Sequence, residues 1–235
     1  MGFFLDNSKI LIIAAHPDDE VLGCGGLIAK FAKKFPIKII VIGEGSTCRY
    51  EDENSPEAKN AMNIRETYLR ESCDILGVSD VRIYNYRCGC LSTIPIIELN
   101  KVIEKNIKEF DPTHIFTHYR YDNNNDHRVI SRATSMATRP NNISNLKYLF
   151  SYEIQSSTDW NFTDPKFDPN FYLELSEELL QKKINAMQAY QSEWSHLKVS
   201  RSPEGLKILA MYRGIETGVK YAEAFKLIRS IDKIS

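Results

Sequence analysis

At 235 residues the chain can bury one substantial core, and 43 % hydrophobic with 26 % charged residues is ordinary globular composition. A formal net charge of −1, with no basic stripe and no acidic tail, argues against a nucleic-acid partner. No apolar run approaches the roughly 18 residues of a membrane span, and residues 1–16 lack a small-residue cleavage site, so neither an integral membrane segment nor a signal peptide is expected. With that, the odd count of five cysteines points to reduced thiols and a cytoplasmic setting.

Residues 9–15 (KILIIAA) read as a buried parallel strand. Gly23-Cys24-Gly25-Gly26 interrupts the chain, and residues 27–35 follow with helical spacing. Residues 37–42 (IKIIVI) form a second buried strand, closed by the loop Gly43-Glu44-Gly45. Ser55 is placed to N-cap a helix with Pro56 at its first position, and the polar helix it opens runs to about Leu76 and stops at Gly77. A short strand is expected at 81–84 and an amphipathic helix at 95–110, whose apolar positions include Leu99, Ile103 and Ile107. Residues 113–118 (THIFTH) are a further strand, 126–138 a helix and 148–154 a strand. Beyond Leu173, helices are expected at 176–192, 204–213 and 218–231. The alternation predicts one α/β domain over 1–235, Rossmann-like, with a mostly parallel sheet, helices on both faces and a helical C-terminal part (174–235) packed on the same domain. Right-handed crossovers then bring the carboxyl ends of the strands to one edge, where ligands bind in such folds.

The chemistry concentrates at Ala15-His16-Pro17-Asp18-Asp19-Glu20, where the first strand ends. Titratable groups crowded beside an apolar strand cost solvation, and a divalent cation compensates for it. Imidazole plus carboxylate suits zinc, and a catalytic site wants three protein ligands and one open position. His127, in Asp126-His127, reaches the same edge from the loop after the fourth strand. Adjacent Asp18 and Asp19 cannot both face the metal, which leaves one for proton transfer. Gly23-Cys24-Gly25-Gly26 lacks the spacing of a dinucleotide loop. Cys88-Gly89-Cys90, without a second pair at zinc-finger spacing, reads as a turn.

AAHPDDEVLGCGG resembles the first motif of the PIG-L / LmbE-like family of zinc-dependent de-N-acetylases, and NDHRVI resembles its second. The likeness extends to Gly43-Glu44-Gly45 with Arg49, to the helix carrying Arg65 and Arg70, and to Arg213-Gly214 before Tyr221-Ala222-Glu223-Ala224-Phe225. The resemblance implies His16, Asp19 and His127 as zinc ligands and Asp18 as the general base, with Asp126 counted among the catalytic residues. It implies hydrolysis of an N-acyl group, expected to be acetyl, on an amino sugar or sugar conjugate that is free or nucleotide- or lipid-linked. Many members have His-x-Asp-His in the second motif; here the first position is Asn124, which can donate a hydrogen bond to an oxyanion but cannot transfer a proton. His118 is the candidate for the missing imidazole, with a hydrogen-bonded loop histidine as its other reading. Arg49 is read either as a substrate contact or as a solvated loop residue, and the aromatic stretch 152–162 as cleft lining or as packing. His114 is assigned a structural role and His196 none. Iron or another divalent ion suits the same ligand set, a homo-oligomer is left open, and the rival functions are hydrolysis of a different amide and a non-catalytic sugar- or metal-binding module.

Overall fold

The isoleucine-rich run near the start of the chain becomes a strand buried on both faces, and the rest of the molecule is arranged around it. The computed structural model describes residues 3–4, 7–140, 145–163, 165–194 and 199–231. In chain order the elements are β1 (Ile10–Ala14), α1 (Asp19–Phe31), β2 (Ile37–Gly43), α2 (Pro56–Leu76), β3 (Asp80–Tyr86), α3 (Ile96–Phe110), β4 (His114–His118), α4 (Asn125–Ala137), β5 (Tyr148–Tyr152), β6 (Phe171–Glu174), α5 (Glu177–Gln188), α6 (Pro203–Ile215) and β7 (Ala222–Ser230). Seven strands form one sheet in the order β3-β2-β1-β4-β5-β7-β6. The first five pair in parallel, and β7 runs antiparallel to both β5 and β6.

The period-two alternation of β1 divides the core. Ile10, Ile12 and Ala14 enter a cluster with Leu27 of α1, Leu69 of α2, Ile184 of α5 and Leu206 of α6. Leu11, Ile13 and Ala15 enter a second cluster with Leu99 and Ile103 of α3 and Ile130 of α4. Helices therefore cover both faces, as the mixed α/β reading requires. Local stop and start chemistry also holds where the sequence marked it. Ser55 Oγ accepts the Ala58 N–H at 3.1 Å with Pro56 at the helix start, and Gly77 closes α2 with φ of 91°.

Two expectations are corrected. The glycine run does not break the chain: α1 begins at Asp19 and passes through it. A Cβ on Gly23 would lie 2.3 Å from Tyr152 Cδ2, and one on Gly26 would lie 2.6 Å from Leu175 Cδ1. The glycines let α1 press onto β5 and the segment between β6 and α5, and that packing overrides their poor helix propensity. The expected helix at 218–231 is a strand, so the C-terminal part is not wholly helical. Gly218, at φ of 75°, sits in the turn after α6, and Ala222–Ser230 then inserts between β5 and β6, the latter strand not foreseen. The Ala, Glu, Lys and Leu of this segment favour a helix locally, but both neighbouring strands offer it ladder hydrogen bonds. Glu223, buried in this strand, accepts the Gly26 and Leu27 N–H groups at 2.7 Å each and pairs with Lys183 Nζ at 2.7 Å. No described helix is long and apolar enough to cross a membrane.

From β1 the chain steps outward to β2 and β3, then returns to place β4 on the other side of β1. The carboxyl ends of β1 and β4 thus flank the point where strand order reverses, the usual ligand crevice of an open α/β sheet.

Candidate active site

Both motifs open from that crevice. Directly after β1 come His16, Pro17 and Asp18, and Asp18 caps α1 with φ of 111°, a left-handed backbone that a non-glycine residue adopts at a cost. After β4 the chain turns through Asp122, whose Oδ1 accepts the Asn124 N–H at 2.8 Å. Asn124 then caps α4 through its Oδ1, which accepts the Asp126 N–H at 2.9 Å.

These turns bring His16, Asp19 and His127 together, one donor atom from each lying within 4.8 Å of the others, all three side chains buried. His16 Nδ1 is 3.7 Å from Asp19 Oδ2, and His127 Nε2 is 3.4 Å from Asp19 Oδ1. The three groups converge from two loops, and their donor atoms are close enough to be candidates for one metal ion. The other nitrogen of each imidazole meets a carboxylate: His16 Nε2 is 3.0 Å from Asp126 Oδ2, and His127 Nδ1 is 3.1 Å from Asp122 Oδ1. Such outer carboxylates fix the tautomer and ring orientation of metal-binding histidines. Asp126 is in turn held by the N–H groups of Gly89 (2.7 Å) and Leu91 (3.1 Å), and Asp122 by the hydroxyls of Ser157 and Thr158. Asp126 therefore sits behind His16 rather than in the cleft.

The buried charges of the set are strongly coupled. Burial opposes ionisation of Asp19, but the neighbouring His127 imidazole, the larger of the opposing influences, holds it well below the usual carboxylate range. Burial likewise opposes protonation of His127, yet Asp19 and Asp122 push its pKa up to about 10. A ring flanked by two carboxylates at this depth is the environment a divalent ion neutralises.

His118 packs behind the ligand set, its Nε2 3.4 Å from Asp19 Oδ2. It is fully buried, stacked on His127 at 4.0 Å between centroids, and its Nε2 accepts the Ala15 N–H at 2.9 Å. Burial and the adjacent His127 lower its pKa to about 4, so the ring is neutral and its Nε2 lone pair is engaged. The other histidine expectations divide. Consistent with a structural role, His114 faces the Phe3 carbonyl at 3.0 Å on the far edge, whereas His196 lies outside the described residues.

A cleft of about 300 Å³ opens over the ligand set, lined by His16, Asp18, Asp19, Asn124, His127 and Trp160 among others. Arg49 is on its wall, its half-exposed guanidinium 2.6 Å from Glu193. The aromatic stretch divides: Tyr152 is core, whereas Trp160 faces the cleft.

Sequence reasoning missed the frame around Asp18. Arg65 of α2 and Arg201 before α6 both donate to Asp18 Oδ2, at 2.9 and 2.7 Å, and both also bind Glu193. Burial raises the Asp18 pKa, and the two arginines partly oppose that rise. Both use the same oxygen, which leaves Oδ1 for the cleft. Glu20 supports the strained turn from below: its Oε2 accepts the Asp18 N–H at 3.0 Å, and its Oε1 accepts the Tyr190 hydroxyl at 2.5 Å. One of these groups was findable, since Arg65 occupies the same helical stripe as buried Leu69, Ser72, Cys73 and Leu76, where an arginine demands a partner.

The chain is similar to several known proteins. Residues 11–138 match the family model described as PIG-L, GlcNAc-PI de-N-acetylase. A probable N-acetyl-alpha-D-glucosaminyl L-malate deacetylase 2 of Bacillus anthracis is 28 % identical over 79 % of this chain and 81 % of its own length. The diacetylchitobiose deacetylase of Thermococcus kodakarensis is 26 % identical over 97 % of this chain and 86 % of its own. In structure, the N,N'-diacetylchitobiose deacetylase of Pyrococcus horikoshii superposes with a TM-score of 0.77 at 23 % identity, covering 95 % of this chain and 84 % of that one. The family match takes in more than half of the sequence and both motifs, and the chain belongs to the PIG-L, or GlcNAc-PI de-N-acetylase, family.

Proposed function

We propose that the protein is a divalent-metal-dependent N-deacetylase that releases acetate from an N-acetylated amino sugar or its conjugate. The observation that carries this reading is the buried His16–Asp19–His127 set, each imidazole backed by a carboxylate, with Asp18 beside it on the floor of an open cleft. Two imidazoles and one carboxylate favour zinc, and iron(II) accepts the same donors. The ion supplies, when bound, an acidified water and a Lewis acid for the amide carbonyl.

The remaining work falls to side chains. Asp18 Oδ1 takes the proton of the attacking water, and a carboxyl whose affinity for protons is raised by burial suits that task. Arg65 and Arg201 fix Asp18 by its other oxygen and stop it from turning toward the ligand set. The same carboxyl then returns the proton to the departing nitrogen, so water and amide become acetate and a protonated amine. Asn124 at the cleft directs its NH2 toward the developing oxyanion, and His118 acts as a positioning residue that packs His127 in place. Trp160, 47 % exposed, offers a flat apolar face to a sugar ring, and Arg49 a donor to its substituents. The relatives named for a glucosaminyl malate conjugate and for diacetylchitobiose support a small glycoside as the substrate class.

The test is amine release from a panel of N-acetyl amino sugars, their glycosides and nucleotide conjugates. Metal-loaded, chelated and Asp18→Ala proteins would be compared. Turnover that disappears on chelation and falls by orders of magnitude in the variant is expected. Sugar binding without turnover across the panel would favour a binding module instead.

A further inference from the structure

Two cysteines in the cleft wall take no part in the proposed chemistry. Cys48 lies in the 3-10 turn Thr47–Arg49 after β2, and Cys88 in the turn after β3, 40 positions later in the chain. Their sulfurs are 3.0 Å apart, and both residues line the cleft. Cys48 is exposed and Cys88 buried, so one sulfur is open to solvent and the other waits directly behind it. Both supporting loops are held by Glu44, which accepts the Thr47 N–H at 2.9 Å and the Cys88 N–H at 2.8 Å. Gly89, with φ of 72°, brings its backbone against Cys48, where a Cβ would lie 3.6 Å from Cys48 Cβ. The remaining thiols lack this arrangement: Cys24 and Cys73 are buried in the core, and Cys90 is partly exposed without a sulfur neighbour among the described contacts.

We propose that Cys48 and Cys88 are an oxidation site, a dithiol that a hydroperoxide converts to an intramolecular disulfide in the wall of the cleft. The Cys48 sulfur attacks the peroxide, the O–O bond breaks, and a sulfenic acid forms with release of water (or of the alcohol from an alkyl hydroperoxide). Cys88 then attacks that sulfur and a second water leaves. One peroxide is reduced and two thiols are oxidised. Closing from 3.0 Å to a bond of about 2.05 Å shortens the sulfur separation by roughly 1 Å. The cross-link ties the turn that carries Arg49 to the turn whose Gly89 N–H holds Asp126, and through it His16.

The test treats the full-length protein with hydrogen peroxide, blocks free thiols and maps peptides by mass spectrometry. A linked pair of peptides containing Cys48 and Cys88 is expected, with a loss of about 2 Da in the intact mass that dithiothreitol reverses. Cys48→Ser should abolish the link, and Cys90→Ser should leave it intact. A Cys88–Cys90 or Cys48–Cys90 link, or Cys48 accumulating only as sulfinic acid, would overturn the proposal. None of these readouts depends on deacetylase activity.

Discussion

Replacing Asp126 with Asn tests whether a carboxylate one shell out holds the metal-facing ring of His16. Asp126 Oδ2 lies 3.0 Å from His16 Nε2 and accepts the Gly89 N–H at 2.7 Å, while Oδ1 accepts the Leu91 N–H at 3.1 Å. Burial opposes its charge, but the hydrogen bond and charge of His16 hold it below the ordinary carboxylate range, so it is ionised at neutral pH. An amide can keep its oxygen toward His16 and Gly89 only by turning its NH2 against the Leu91 N–H. That leaves a buried donor unpaired, a cost of about 1–3 kcal/mol. At about 2–4 °C per kcal/mol for a chain of this size, the melting temperature should fall by roughly 2–12 °C. Without the negative charge His16 is also a poorer ligand, and loss of such a partner typically weakens metal binding about 10–100-fold. Competition against a chelator of known affinity, together with thermal unfolding of metal-free and loaded protein, measures the two effects separately. Metal affinity within about twofold of wild type would refute the role given to Asp126.

Three further expectations follow from other parts of the site and its scaffold. Gly23→Ala gains about 1 kcal/mol of helix propensity but sets a methyl 2.3 Å from a Tyr152 ring that is fully buried and donates its hydroxyl to the Ile13 carbonyl. Overpacking costs of about 1–3 kcal/mol should prevail and lower the unfolding midpoint, and a variant as stable as wild type would contradict the packing described. Glu20, buried against Tyr190, has its pKa raised from 4.5 to about 8 by burial, so the folded state holds a proton that the unfolded chain releases. Stability from this group is complete below pH 4.5 and is lost as pH rises through 8; Glu20→Gln should flatten that loss in denaturant titrations from pH 6 to 9, whereas an unchanged slope would count against it. Arg201→Ala removes a cation that lowers the Asp18 pKa, so the acidic limb of the kcat/KM profile should move to higher pH, and a limb that stays in place would exclude Asp18 as the titrating base.

Much of the fold is legible because parallel strands buried on both faces read as apolar runs, unbroken in residues 10–14 and interrupted only by Lys38 in 37–43. Serine caps and a closing glycine announce α2 in the same local way. The misreadings arose where long-range packing outweighs local preference. The glycines of α1 look like a break until Tyr152 and Leu175 are seen against them, and β7 looks helical until β5 and β6 flank it. The site divides along the same line. His16, Asp18, Asp19 and His127 sit at strand ends whose location follows from the fold, so their meeting could be expected. Arg201 reaches Asp18 from 183 positions along the chain, and Glu193 holds that arginine from the turn after α5; no local pattern specifies either contact. His118 stands at the expected strand end, but its engagement by the Ala15 N–H and its stacking on His127 are contacts that no local pattern specifies.

The central claim is that turnover depends on an ion held by His16, Asp19 and His127. It is tested most directly by titrating metal-free protein with zinc while following both bound metal and amine release. Activity should rise with occupancy, level off at one ion per chain, and be absent in His127→Ala at the same total metal. Full activity in rigorously metal-free protein, or unchanged metal binding and turnover in His127→Ala, would contradict it.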